Sequence, residues 1–148
     1  MIKPKYVYHG TGVKIKENLI PKKAKNLDDN LDNSLKGVYA SSWKKEAIIM
    51  GLFGCKGVKG ASTHITGKNK IDAVIYDGYP RQTYFYLCQI SSKTFENRSK
   101  GGLQWVSLEK VKPKKIEKLK VKDYIHLIRK ATEREKKDWL KNYRYKIN

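Results

Sequence analysis

The fold of this chain is decided at residues 6–12, which run Tyr-Val-Tyr-His-Gly-Thr-Gly. The aromatic and β-branched residues predict a strand, and the glycines predict that it ends in a turn. Such a strand holds the His9 imidazole on a stiff support, while the glycines let a ligand approach the backbone and Thr11 adds a hydroxyl. Taken alone, the stretch is more often a half-buried histidine beside an ordinary turn.

Five further runs have the composition of strands: residues 37–40, 71–76, 83–90, 103–107 and 114–119. Ser41 and Ser42 can cap a helix over residues 43–50 that ends at Gly51. A second helix is predicted from Asp123 to about Tyr143, because apolar residues recur there at helical spacing. The result is one mostly-β α+β domain over residues 1–148 with a basic C-terminal helix at 123–143.

Two segments are predicted to be loops. Residues 22–36 are rich in Asn, Asp and Lys, and three leucines at helical spacing leave a short helix open there: Leu27, Leu31 and Leu35. Residues 51–70 are basic and contain five glycines. Long glycine-containing loops in compact domains are often binding or lid segments.

The 148 residues fit a single domain. No apolar run approaches the roughly 20 residues that a membrane span needs, and the N-terminus has no apolar signal region. We therefore expect a soluble, cytoplasmic protein without a membrane partner.

Cysteine and histidine usage offers little chemistry. Two cysteines are too few for a disulfide scaffold, and their spacing matches no zinc site. Cys88 is predicted to be a buried core thiol, and Cys55 a surface thiol, with a reactive thiolate as the alternative for Cys55. The histidines at positions 9, 64 and 126 are scattered, so no metal site is expected.

Charge is the strongest bulk signal. Lys and Arg number 33 against 14 Asp and Glu, which gives a formal net charge of +19. Such a field concentrates polyanions around a protein. Only five of these cations are Arg, the residue that reads bases and binds phosphates in bidentate fashion. We therefore expect non-specific electrostatic attraction to nucleic acid or another acidic macromolecule.

Several motifs, in order along the chain, resemble the ADP-ribosyltransferase superfamily of mono-ADP-ribosyltransferases and poly(ADP-ribose) polymerases. The Tyr-His-Gly-Thr strand at residues 8–11 is followed by an Ile-x-Pro-like element at 19–21. A Gly-Val-Tyr-Ala-Ser strand at 37–41 then leads into the helix at 43–50. Residues 84–87 and 104–107 resemble the closing strands of the same fold. The resemblance covers most of residues 6–121 and implies a split, mostly antiparallel sheet.

The resemblance also implies roles for single residues. His9 would hydrogen-bond the adenosine-side ribose of NAD, and Gly10 or Thr11 would lie beside the nicotinamide amide. Tyr39 would stack on nicotinamide, and a ring face also suits the oxocarbenium-like character that grows as the glycosidic bond breaks. A core position in its strand is the alternative for Tyr39.

The family's catalytic glutamate is replaced here by Gln104. In the superfamily that carboxylate holds a hydroxyl of the nicotinamide ribose and stabilises the cationic transition state. Gln104 can accept the same hydrogen bond but has no charge, a loss of about 3 kcal/mol or more, at least a hundredfold in rate. Glu96 and Glu109 are nearby substitutes, although an exposed ion-paired glutamate is the more ordinary role for each.

Three functions follow. The first is an enzyme that transfers ADP-ribose from NAD to a macromolecule, and the charge favours nucleic acid or a nucleic-acid-associated protein as the acceptor. The second is a non-catalytic module that keeps the transferase fold and binds a nucleotide or polyanion, which Gln104 supports. The third is a plain nucleic-acid-binding protein with the C-terminal helix as its main surface. An RNA 2′-phosphotransferase shares the fold, but the scattered arginines do not show its phosphate site.

Overall fold

The computed structural model describes residues 2–23, 36–98 and 102–147. In these residues the strands are β1 (Tyr6–Thr11), β2 (Lys22–Lys23), β3 (Lys36–Ser41), β4 (Val58–Gly67), β5 (Lys70–Gly78), β6 (Tyr84–Ser91), β7 (Glu96–Asn97), β8 (Gln104–Ser107), β9 (Lys115–Lys120) and β10 (Arg129–Lys130). The helices are α1 (Lys44–Phe53), α2 (Val121–Tyr124) and α3 (Glu133–Ile147), with short 3₁₀ turns at Ser92–Thr94 and Ile125–Leu127. The short helix considered around Leu27, Leu31 and Leu35 lies outside the described residues. Within them, no helix is both long and apolar enough to cross a membrane.

The strands form two sheets. The larger follows the order β7-β8-β3-β1-β6-β9, with β2 paired to β3, and its strand pairs are antiparallel. The smaller follows the order β10-β5-β4, in which β4 and β5 form an antiparallel hairpin and β10 joins in parallel. The predicted α+β class with mostly antiparallel strands is therefore confirmed. The second sheet was not predicted.

The larger sheet is divided between β1 and β3. β1 pairs with β6 along its whole length, from Tyr6 opposite Ser91 to Thr11 opposite Tyr86. Among the described residues, Tyr8 and Ser41 form the single pair that joins β1 to β3. Because β3 pairs on its other side with β8, the sheet consists of two halves that meet at one point, which we call the split.

The two faces of the larger sheet bury different cores. Side chains alternate along β1, so Val7 lies in an apolar cluster with Trp105 on one face. Tyr8 packs on the other face against a cluster that includes Ala47 of α1. We call the side of Val7 and His9 the histidine face, and the side of Tyr8 the helix face.

Close packing of α1 on β1 accounts for the glycines of the first motif. A Cβ atom at Gly10 would overlap the carbonyl oxygen of Ala47, and one at Gly12 would overlap the carbonyl oxygen of Gly54. Gly51 of the helix lies against the same point, because a Cβ built on it would be 3.2 Å from the Cα of Gly10. The glycine pattern of the strand therefore lets a helix approach the backbone.

The prediction of a loop over residues 51–70 is wrong. Helix α1 continues past Gly51 to Phe53, and β4 pairs with β5 over most of the remaining stretch. The later glycines lie at irregular points in or just before this hairpin: the ladder shifts register on both sides of Gly60, and Gly57, which precedes β4, has a φ of +95°. Ser, Thr, His and Ile residues between the glycines supply the strand.

The prediction of one helix over residues 123–143 is also wrong. α2 ends at Tyr124, β10 then joins the smaller sheet, and α3 begins at Glu133. The new start is a capping box. Glu135 N–H donates to Thr132 Oγ1 at 3.2 Å, and Thr132 N–H donates to Glu135 Oε1 at 2.9 Å. The apolar residues Leu127 and Ile128 pack against two core clusters instead of forming one face of a long helix.

Helix α3 is attached to the smaller sheet through side chains. The rings of Trp139 and Tyr76 stack with centroids 5.5 Å apart and an interplanar angle of 5°. Arg129 donates to both carboxylate oxygens of Asp72 at 2.9 and 3.0 Å and to both oxygens of Glu135 at 2.8 Å. These contacts fix the C-terminal helix away from the split.

Candidate functional site

The histidine of the first strand reaches across the split. His9 Nδ1 lies 2.6 Å from the carbonyl oxygen of Tyr39. A carbonyl can only accept a hydrogen bond, so Nδ1 carries the proton and donates it, and Nε2 is an acceptor in the neutral ring. Residues from two motifs thirty positions apart therefore meet where the sheet is divided.

The environment of His9 favours this neutral form. Burial lowers the pKa of His9, the hydrogen bond to Tyr39 acts in the opposite direction, and the positive charge of Lys22 lowers the pKa further. Nε2 has no hydrogen-bond partner among the described residues. An unprotonated ring nitrogen in this position can accept a hydrogen bond from a hydroxyl group of a ligand.

The two residues after His9 have structural roles of their own. The side of Gly10 is covered by α1, as described above. The Oγ1 of Thr11 accepts a hydrogen bond from Val13 N–H at 3.1 Å, and so it closes the turn after the strand. Alternation places Thr11 on the histidine face and Gly10 on the helix face. A ligand beside His9 would therefore lie near the side chain of Thr11, whereas Gly10 faces α1 on the opposite side of the sheet.

Tyr39 and Gln104 lie on the helix face. Ser41 is opposite Tyr8 in one ladder and opposite Gln104 in the other, and residues opposite each other in a ladder point to the same side of the sheet. Tyr39 is two residues before Ser41 and shares that side. The structure thus brings the three motif strands together in the order β8-β3-β1. It places the His9 ring on one face and the side chains of Tyr39 and Gln104 on the other.

A carboxylate that the sequence analysis missed lies beside the row formed by Tyr39, Ser41 and Gln104 on the helix face. The hydroxyl of Ser41 donates a hydrogen bond to Glu46 of α1, and it accepts one from Trp43 N–H at 3.0 Å. Burial raises the pKa of Glu46, and the hydrogen bond from Ser41 opposes this effect. In sequence, Glu46 is an ordinary acidic residue in the first turn of a helix, so no local signal distinguishes it.

Glu96 and Glu109, the two glutamates that the sequence analysis considered beside Gln104, are both exposed. Glu96 lies opposite Val106, which places it on the same face as Gln104. Glu109 follows β8, and its N–H donates to the hydroxyl of Ser107 at 3.2 Å. Neither glutamate forms an ion pair with another described residue. Glu46, which contacts Ser41, and Glu96, on the strand beside β8, are therefore carboxylates that the fold places on or against the face of Gln104, and Glu117 of β9 lies on the same face.

A small polar cavity of about 140 Å³ adjoins the row on the helix face. Its walls include Tyr8, Gln89 and Lys115, which lie opposite one another across β1, β6 and β9. His9 and Tyr39 do not line it.

The cysteines do not contribute a nucleophile. Cys88 is buried, as predicted, but Cys55 is buried too, so its interpretation as a surface thiol is wrong. Cys55 lies just after α1 and packs in the core on the helix face, with Sγ 3.5 Å from the carbonyl oxygen of Gly51. Burial raises the pKa of each thiol to about 11, so both are protonated at neutral pH.

Within residues 2–23, 36–98 and 102–147, no three His, Cys, Asp or Glu side chains lie together in a group that could hold a metal ion. The chemistry that the described residues can offer is therefore hydrogen bonding, ring stacking and charge.

Comparisons with known proteins identify no relative. No protein family, no curated protein and no solved structure matches the chain. The resemblance to the ADP-ribosyltransferase superfamily thus rests on the order of the motifs, and the geometry above describes what those motifs do in this fold.

Proposed function

We propose that this protein binds NAD at the split between β1 and β3 and transfers ADP-ribose to a macromolecule. The observation that carries the proposal is the adjacency of β8, β3 and β1. These strands hold Gln104, Tyr39 and His9, which are far apart in the sequence. Because the His9 ring lies on one face of the sheet and the side chains of Tyr39 and Gln104 lie on the other, the proposal requires NAD to lie across the split.

His9 would bind a ribose hydroxyl. Its Nδ1 is fixed by the Tyr39 carbonyl, so the ring is oriented before a ligand arrives and Nε2 is the atom left to accept. Orientation of this kind is what a binding residue requires, since little conformational freedom is then lost on binding.

Gln104 would hold the nicotinamide ribose, and Tyr39 would pack against the nicotinamide. An amide oxygen accepts a hydroxyl proton as a carboxylate does, but it supplies no charge to the cationic transition state. Glu46 beside Ser41 and Glu96 on the strand next to β8 are carboxylates that could supply that charge. We therefore expect slow turnover of NAD by the wild-type protein.

The net charge of +19 favours a polyanionic acceptor. Nucleic acid, or a protein bound to it, is concentrated by such a field, whereas a neutral or cationic small molecule gains nothing. The proposal places the protein in the cytoplasm, where both NAD and nucleic acid are present.

Titration calorimetry with NAD and with ADP-ribose tests the binding step. The wild type should bind both, and His9→Ala should weaken binding at least tenfold, because the oriented acceptor is lost. His64→Ala is the matched control, since His64 is exposed on β4 in the other sheet and should leave binding unchanged. If the wild type binds neither ligand at millimolar concentration, the proposal is wrong.

A second function is supported by Gln104 itself. A nucleotide-binding module that does not cleave NAD needs the oriented His9 but not a charged catalytic side chain. Measuring NAD consumption with and without nucleic acid distinguishes the two functions, since binding without consumption identifies the module. If nucleic acid binds and NAD does not, a plain nucleic-acid-binding protein is the correct description.

A further inference from the structure

Two tyrosines and two lysines form a square on the histidine face of β6 and β9. Tyr84 lies opposite Lys120, and Tyr86 lies opposite Lys118. Because opposite residues and residues two apart share a side, all four lie on one face, and Tyr86 also lies opposite Thr11 of the first motif. We call these four residues the tyrosine–lysine platform.

The platform is accessible and positively charged. The side chain of Tyr84 is 37% exposed, and both lysines are exposed. Lys118 Nζ lies 4.1 Å from the centroid of the Tyr84 ring. Among the described residues neither lysine is in an ion pair, whereas the carboxylate of β9, Glu117, lies on the other face and pairs with Lys115 at 3.1 Å. Uncompensated charge on β9 is thus confined to the platform side.

A cavity of about 440 Å³ continues the platform beyond Tyr84. Its walls include Tyr84, Lys120 and a second exposed tyrosine, Tyr79, whose ring has Lys130 Nζ 5.1 Å from its centroid. Gln82 also lines the cavity and donates to the carbonyl oxygen of Gly12 at 2.7 Å. The cavity is therefore attached to the turn that follows the first motif.

We propose that the platform and its cavity bind single-stranded nucleic acid, with bases stacked on Tyr84 and phosphates bound by Lys118 and Lys120. Aromatic side chains interleaved with cations match the alternation of planar bases and phosphates along a single strand. A duplex keeps its base faces inside, and an acidic peptide would use the lysines alone, so neither explains the tyrosines. The inference concerns a binding surface and holds whether or not NAD is cleaved.

Fluorescence anisotropy with labelled oligothymidine and oligouridine of about twelve nucleotides tests this surface. Tyr84→Ala should weaken binding about tenfold or more, the loss of one stacked base, whereas Tyr84→Phe should keep most of it. Tyr6→Ala is the matched control, because Tyr6 also lies between two lysines but on the helix face. Equal losses in Tyr84→Ala and Tyr6→Ala would overturn the proposal.

A charge-matched pair of double variants tests the phosphate contacts. Lys118→Gln with Lys120→Gln should lower affinity and reduce the salt slope by about 1.4, since each phosphate contact on a single strand contributes about 0.7. Lys114→Gln with Lys115→Gln removes the same charge near Tyr6 and should have a clearly smaller effect. Equal effects would show a diffuse field instead of a surface.

Competition separates the other partners. A duplex of the same length and a polyglutamate of the same charge should both displace the single strand poorly, and displacement by either at equal concentration would contradict the proposal. Calorimetry of the wild type and Tyr84→Ala with NAD is a separate measurement, because NAD binding and oligonucleotide binding test different proposals. Failure of NAD binding in the wild type would remove the proposed enzyme and leave the oligonucleotide result standing.

Discussion

The two sheets of this molecule are each stabilised by a different kind of contact with a helix. In the larger sheet, two ladders meet at the single pair of Tyr8 and Ser41, and backbone glycines let α1 lie directly on β1. In the smaller sheet, α3 is attached by the Trp139 stack and by the ion pairs of Arg129. The backbone packing of α1 on β1, next to the split, positions the candidate site. The side-chain contacts of the smaller sheet hold α3 in place.

Substitution at Gly10 should break the larger sheet with the largest effect. Gly10→Val must displace the backbone of α1, because its Cβ would overlap the Ala47 carbonyl, and a loss of about 3 kcal/mol in unfolding free energy is expected. Gly67→Val is the control, since a Cβ there meets nothing within 4 Å. Chemical denaturation measures both, and equal losses would contradict backbone packing as the main contact.

Substitution of Trp139 should destabilise the smaller sheet and leave the larger one unaffected. Trp139→Ala removes the stack on Tyr76, which should cost about 2 kcal/mol for a half-buried ring. Hydrogen exchange should accelerate in β4, β5 and α3 and stay unchanged in β1 and β6. A uniform loss of protection in both sheets would mean that they form one cooperative unit.

A negative charge introduced at Gln104 tests the role of the larger sheet in the proposed chemistry. Gln104→Glu should raise NAD cleavage about tenfold, or 1.4 kcal/mol of barrier, while binding changes little. Glu46→Gln and Glu96→Gln identify the carboxylate used by the wild type. If Gln104→Glu is without effect and one of these variants is inactive, the assignment of Gln104 is wrong. If all variants are inert and NAD binds, the module is the correct reading.

The smallest effect should be the pH dependence of the smaller sheet. Hydrogen bonds from Arg129 lower the pKa of Glu135 to about 2 from an ordinary 4.5. A lowered folded-state pKa contributes stability above pH 4.5 that is lost as the pH falls toward 2. The stability difference between wild type and Glu135→Gln should shrink over that window and also in high salt. A difference that grows on acidification would contradict this sign.

The sequence predicts the larger sheet better than the smaller one. The run at residues 83–90 forms β6, which buries side chains on both faces of the larger sheet, and its density of aromatic and apolar residues shows this. β4 was missed because its glycines lie at bulges and ends, where local signals resemble a loop. The long C-terminal helix was expected from apolar spacing, but Leu127 and Ile128 serve two cores. The capping box of Thr132 and Glu135 is a local signal that could have placed the start of α3.

The candidate site was predicted only in part. The motifs name His9, Tyr39 and Gln104, and their strands are neighbours. The sequence could not show that the His9 ring lies on the opposite face from the other two side chains, because that depends on ladder register. Register also places Tyr84 opposite Lys120, although the two residues are far apart in the chain. Glu46 was missed because its role depends on the contact with Ser41.

Imidazole nitrogen NMR of His9 tests the central claim most directly. At neutral pH the free protein should show a neutral ring with the proton on Nδ1, since that atom donates to Tyr39. Addition of NAD should shift the Nε2 resonance of His9 and leave His64 and His126 unchanged, because a ribose hydroxyl then donates to Nε2. A His9 signal that does not respond to saturating NAD, or a charged ring at neutral pH, would contradict a nucleotide site at the split.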